Sequence, residues 1–131
     1  MKTFKLKIVT PKGIYKEADI EILNIRTTAG QMGILASHLP LASELEISEM
    51  NYVENGQRKY YSMAGGFVYV GEDETTLIVN AIESPEEIDL ARAEAAKKRA
   101  EERLAKKTDI DIQRAEIALK KALIRINVKG M

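Results

Sequence analysis

The chain has 131 residues, and its 20 basic and 20 acidic residues cancel to a formal net charge of zero. That length suits one ordinary domain with an appendage, and the charge balance excludes a global field for holding nucleic acid or an acidic membrane surface. With no cysteine and one histidine, disulfides, thiolate metal sites, thiol nucleophiles and multi-histidine metal cages are excluded as well.

Phe4, Leu6 and Ile8 alternate with lysines and stop at Thr10-Pro11-Lys12-Gly13, which predicts a half-buried strand and then a turn. Neither this start nor any later stretch approaches the roughly 20 apolar residues of a membrane span, so no direct span is expected. Ile20, Ile22, Ile25 and Thr27 keep a strand alternation with a one-residue slip at Leu23 or Asn24, the pattern of a β-bulge or of a strand passing between sheets. Gly30 and Gly33 are expected to bracket a tight turn. His38 follows Ser37, but no nucleophile elbow or glycine-rich oxyanion loop accompanies them. A loop histidine with a structural or contact role is therefore expected, not a catalytic base.

Glu46 to Val53 and Arg58 to Met63 flank Asn55-Gly56, a pair suited to the two positive-φ positions of a type I′ hairpin turn. Gly65-Gly66 lacks the spacing of a phosphate-binding loop and reads as a bend where a side chain would collide. Tyr60, Tyr61, Phe67 and Tyr69 fit core and rim packing better than base stacking. Phe67 to Val70 and Thr76 to Ile82 complete a series of short strands with frequent turns and no helix between them, which predicts an antiparallel sandwich or flattened barrel.

At Ser84-Pro85 the composition changes to an alanine-rich, densely charged tail. Ser84, Pro85 and Glu87 have the spacing of a capping box with proline at the first helical position. From Ile88 to Leu104 the apolar residues are mostly alanines, so helix propensity is high and packing power low. Such a segment can leave one surface for another at modest cost. Fraying is expected near Lys106-Lys107, with a second N-cap at Thr108-Asp109 and Asp111 three residues after Thr108. In the second helix Ile112, Ala115, Leu119, Ala122 and Ile126 form one stripe and Ile110, Ile117 and Ile124 another, which calls for more than one neighbour. Glu94 with Lys98, Glu102 with Lys106 and Glu116 with Lys120 have i,i+4 spacing. The expected architecture is α+β: an N-terminal antiparallel β-sandwich over residues 1–84, then a C-terminal α-helical hairpin over 85–131.

Asp89 and Arg92 lie one helical turn apart, and Arg99 extends the same side. Converging guanidinium groups bind phosphate oxygens, whereas the same spacing also describes a solvated salt-bridge face; the pattern alone leaves both open. Lys120, Lys121 and Arg125, with Lys129 beyond, form a local basic patch suited to an acidic partner surface.

In these features the chain resembles the epsilon subunit of bacterial rotary (F-type) ATP synthase over essentially its full length. Thr10-Pro11-Lys12-Gly13, Gly30-Gln31-Met32-Gly33-Ile34-Leu35, His38-Leu39-Pro40-Leu41, Gly65-Gly66-Phe67 and Ile88-Asp89-Leu90-Ala91-Arg92-Ala93 occur in the family's order and approximate spacing. The resemblance implies a non-catalytic central-stalk subunit, peripheral on the cytoplasmic face of the bacterial membrane. Its partners would be the gamma subunit, the membrane ring of c subunits and, with the hairpin extended, the catalytic beta subunit. The extended hairpin would restrain ATP hydrolysis and the folded one would leave rotation free. No cofactor is implied as required. ATP is implied as a regulatory ligand, held by Ile88, Asp89, Arg92 and Ala93 of the Ile/Leu-Asp-x-x-Arg-Ala motif together with Glu83, Arg99, Lys121 and Arg125. Gly30, Gln31 and His38 are implied as stalk or ring contacts. The family's frequent Pro-Gly before the loop histidine is Ala36-Ser37 here, Gln31 replaces an often acidic residue, and Lys121 stands where some ATP binders carry arginine. A stand-alone ATP-binding sensor is the alternative, distinguished by ATP binding without stable association with gamma.

Overall fold

The alternating N-terminus forms strand β1 (Phe4–Thr10), followed by β2 (Gly13–Ile20), with Leu6 and Ile8 fully buried. The structure is a computed structural model that describes residues 2–106 and 111–131. Next come β3 (Ile22–Thr27), β4 (Gly30–Leu35), β5 (Leu41–Glu54), β6 (Gln57–Val70), β7 (Glu74–Val79) and the short β8 (Ile82–Glu83). Asn55 and Gly56 take φ of 52° and 76°, the two positive values of the type I′ turn expected there, and join strands of 14 residues each.

Hydrogen-bonded neighbours run β2-β1-β7-β6-β5-β3-β4, with β8 added to β6. The sheet is mixed where an antiparallel one was expected, because β1 and β7 pair in parallel from Lys5 opposite Glu74 to Val9 opposite Ile78. A parallel pair needs a long crossover, and here the five strands between β1 and β7 supply it. Short turn spacing carries no sign of such a pairing. Inside lie Leu6, Ile8, Ile20, Leu23, Met50, Tyr52, Val68 and Leu77, all fully buried.

One local expectation is refined and another corrected. The register of β3 on β5 shifts between Asn24 and Thr27, where the irregularity is expected, but the inward face changes earlier, at Glu21, a bend between two separate strands: Ile20 ends β2, and Leu23, Ile25 and Thr27 face the core from β3. The Glu21 N–H donates to the Val53 carbonyl at 2.8 Å, so the bend is anchored on β5. Gly30 and Gly33 do not bracket a turn; both belong to β4, and the turn is Thr28-Ala29. Only Gly30 of the two needs glycine for its φ, which is +120°.

Only the glutamate half of the capping box at Ser84 forms, and it does not start a helix. The Ser84 N–H donates to Glu87 Oε1 at 2.9 Å and the Glu87 N–H to the Ser84 carbonyl at 3.1 Å, closing an isolated turn. Helix α1 (Leu90–Lys106) begins after Asp89, whose carboxylate accepts the Arg92 N–H at 3.1 Å and whose carbonyl accepts the Ala93 N–H at 3.0 Å. Asp89 is the N-cap. The second N-cap expected at Thr108-Asp109 lies outside the described residues, as do Lys107 and Ile110. Helix α2 (Ile112–Lys129) is capped by Asp111, whose side chain accepts the Arg114 N–H at 3.0 Å.

Helix α2 has two neighbours, α1 and the sandwich, but they cover the expected stripes only in part: Ala115 and Ala122 are buried and Ile124 half-buried, whereas Ile112 and Ile117 stay exposed. Ala115 and Ala122 are buried with Ala93 and Ala100 of α1, an interface built of methyl groups. On the opposite side α2 meets the sandwich through Lys120 with Glu46 at 3.1 Å, Asn127 with Glu49 at 3.3 Å and Arg125 with Glu83 at 2.6 Å, and Ile124 shares a depression with Ile47, Met63 and Ala64. None of the three expected i,i+4 pairs occurs among the ion pairs of the described residues. Lys120 reaches Glu46 rather than Glu116, because a partner across the interface restrains it better than a solvent-exposed one.

Candidate functional site

Where the sandwich ends, β8, the neck and both helices enclose a cleft of about 350 Å³ lined by Glu83, Glu87, Asp89, Arg92, Ala93, Ala96, Arg99 and Arg125. That volume is at the small end of the roughly 300–1,000 Å³ usual for small-molecule sites. Six of the eight residues implied by the resemblance therefore line one space. Ile88 is buried at 3% exposure, outside the lining, and anchors the neck. Lys121 lines a separate small depression against Ile47, Met63, Ala81 and Glu83, so the structure does not bring it into the cleft.

Three carboxylates and three guanidinium groups face this space, but their engagements differ. Asp89 Oδ1 accepts the backbone N–H of Arg92. Glu83 accepts from Arg125 Nε at 2.6 Å. Glu87 accepts the Ser84 N–H and the Tyr15 hydroxyl on Oε1. Arg92 and Arg99 take part in none of the ion pairs among the described residues. Their side-chain cations are the groups available to an added anion, and polyanionic oxygens suit planar guanidinium forks best.

Glu87, Ala96 and the Tyr15 contact were not anticipated. Glu87 was read only as the capping partner of Ser84, and no sequence pattern signals a hydrogen bond to a residue 72 positions away. The Tyr15 hydroxyl, assisted by Ser84, holds the Glu87 carboxyl below the usual carboxylate range against a desolvation penalty. Burial, and then the bond to Glu87, push the Tyr15 phenol far above its ordinary value. A depressed carboxyl stabilises the fold above the ordinary carboxylate range, and that contribution is lost as pH falls through the lowered value.

Gly30, Gln31 and His38 lie elsewhere. Gln31 is exposed on β4 at a groove of about 840 Å³ that runs beside α2 and includes Arg26, Met32, Arg58 and Lys120. The His38 Nδ1–H donates to the Leu39 carbonyl at 2.7 Å, while Ser37 Oγ accepts from Lys2 Nζ at 2.8 Å. Serine and histidine are thus engaged with other groups, in keeping with a structural loop histidine. Among the described residues no group of His, Asp and Glu has the arrangement of a metal site, and no helix is long and apolar enough to cross a membrane.

A β-sandwich carrying a capped two-helix hairpin, with a cleft of mixed charge at their junction, defines a two-module protein of the stalk-subunit class of fold. Residues 3–85 match the family described as ATP synthase, Delta/Epsilon chain, beta-sandwich domain, and residues 86–130 match ATP synthase, Delta/Epsilon chain, long alpha-helix domain. The chain belongs to the ATP synthase Delta/Epsilon chain family. It is 45% identical over 109 residues to the ATP synthase epsilon chain of Bacillus velezensis, covering 83% of each chain. It is 41% identical over 130 residues to that of Bacillus pumilus, covering 99% of each. Among solved structures, a chain of the Euglena gracilis mitochondrial ATP synthase superposes with a TM-score of 0.82 at 22% identity, over 98% of this chain and 82% of that one. This last likeness is one of fold.

Proposed function

We propose that this chain is a non-catalytic central-stalk subunit of an ATP synthase, joining the gamma subunit to the membrane ring at the cytoplasmic face and restraining ATP hydrolysis through a hairpin that can leave the sandwich. ATP acts as an effector that favours the docked hairpin. The observation that carries this reading is the cleft itself, whose lining comes from β8, the neck, α1 and α2. A ligand bound there loses contacts when the hairpin extends, so its affinity differs between the two states; that difference is what shifts a conformational equilibrium. The alanine interface of α1 and the polar docking of α2 keep the undocking cost small, which a reversible switch requires.

Calorimetry on the full chain tests the ATP reading. Wild type is expected to bind ATP, and Arg92→Ala to bind about tenfold more weakly or worse, the loss of one charge-assisted phosphate contact. Absence of binding heat at millimolar ATP would remove the sensor role and leave the stalk role standing. Binding of ATP without association with gamma would instead identify a stand-alone sensor. Truncation before Asp109 tests the inhibitory role separately: the assembled enzyme should hydrolyse ATP several-fold faster with the sandwich still bound to gamma, and an unchanged rate refutes inhibition by this hairpin.

A further inference from the structure

The neck, residues 84–89, is the only covalent connection between the sandwich and α1, and it is not helical. An untied neck would leave the hairpin free to swing, and ordering those residues opposes docking by their conformational entropy. Glu87 is tied on one oxygen by two donors of different origin. The Ser84 N–H closes the local turn at 2.9 Å, and the Tyr15 hydroxyl comes from β2.

Tyr15 is itself held. Its ring meets Tyr61 edge-on at 6.1 Å and 85°, and Tyr61 stacks on Tyr52 at 5.5 Å and 18°. The Tyr52 and Tyr61 hydroxyls lie 2.9 Å apart in a shared hydrogen bond, and Tyr52 is fully buried. A column of three aromatic rings thus runs from the core to the neck and positions one hydroxyl against one carboxylate. On the far side of the neck α2 supplies its own ties, Lys129 Nζ to the Pro85 carbonyl at 2.7 Å and Arg125 to Glu83 at 2.6 Å. Glu87 also lines the cleft beside Asp89, Arg92 and Arg99.

We propose that the Tyr15–Glu87 hydrogen bond is a latch by which the sandwich holds the neck in the docked geometry, with Glu87 as the positioning residue that carries the restraint to the cleft. Latch closure and occupation of the cleft favour the same neck conformation, so each strengthens the other. The part concerning the cleft rests on the ATP reading above; the part concerning the hairpin does not.

Tyr15→Phe keeps the ring and removes only the hydroxyl. In the full chain without nucleotide, amide hydrogen exchange in α1 and α2 is expected to rise about tenfold, the loss of one hydrogen bond to a charged group, while β5 and β6 amides keep their rates. Glu87→Ala should loosen the helices at least as much, because it also removes the Ser84 N–H bond, and the double variant should exceed Glu87→Ala by little, because the Tyr15 hydroxyl then has no partner left to lose. Unchanged helix exchange, or equal acceleration in β5 and β6, overturns the latch. With ATP added, the apparent affinity should fall in step with the docked fraction. An affinity unaltered despite undocking overturns the link to the cleft. If the parent binds no ATP but the helices still loosen, the latch stands and the ATP reading fails.

Discussion

Gly66→Ala is expected to destabilise the sandwich by about 3 kcal/mol or more, read as a loss of about 10 °C or more in Tm. A Cβ at Gly66 would lie 2.0 Å from the Ile78 carbonyl oxygen and 2.7 Å from Val79 Cα, and the residue's φ is +144°. Both obstructing atoms are backbone, so no rotamer change relieves the clash. Gly66 pairs with Leu45 of β5 and Val79 of β7. Moving β7 to make room would also disturb its parallel partner β1. Gly33→Ala is the control, since its added Cβ meets side-chain atoms alone, the Asn24 Oδ1 at 3.4 Å and the Ile22 Cδ1 at 3.9 Å. That change should cost less than about 1 kcal/mol. Equal stability of the two variants would contradict the close approach of β6 and β7.

The collision at Gly66 was legible because a Gly-Gly pair inside a strand pattern has few other uses. The Asn55-Gly56 turn was legible for a similar reason: both residues occupy positive-φ positions that few side chains tolerate. Alternation was less exact where two irregularities lie close together. The register against β5 shifts after Asn24 while the inward face changes at Glu21, and only the partner strand separates the two. The helix start failed for a related reason. Ser84 and Asp89 both have the chemistry of an N-cap, but only the Asp89 side chain accepts a helical N–H; at Ser84 the turn closes through backbone groups and the Glu87 carboxylate without propagating.

At the cleft, helical spacing grouped Asp89, Arg92 and Arg99 while leaving a solvated salt-bridge face open. Ala93, Glu83 and Arg125 came to the site through the family resemblance, and the contact between the last two spans 42 residues. Lys121 is implied on the same basis, yet it lies one turn before Arg125 on the same face of α2 and lines only the depression beneath the helix, whereas Arg125 borders both spaces. One helical turn advances about 5.4 Å along the axis, enough to move a side chain from one space to the next. Tyr15 left no trace at all, since a strand tyrosine with a half-buried ring has many more common roles than holding a neck.

Ala122→Leu should selectively weaken the docked hairpin, by about 2 kcal/mol or roughly thirtyfold in the docking equilibrium. Ala122 is fully buried, on the opposite face of α2 from Ile124, and so sits between the helices where Ala93 and Ala100 are also buried. Three added carbons there must push α1 and α2 apart, because alanine partners have no rotamers with which to yield. The sandwich core shares none of these residues. Urea unfolding followed by β-sheet signal should therefore be almost unchanged, while amide exchange in both helices accelerates. A sheet destabilised in parallel would show that sandwich and hairpin unfold as one unit, which is incompatible with a detachable switch. On the proposed function the extended, inhibitory form gains what the docked form loses. The variant should then need about thirtyfold more ATP than the parent to restore the docked hairpin, as far as ATP binds only the docked form.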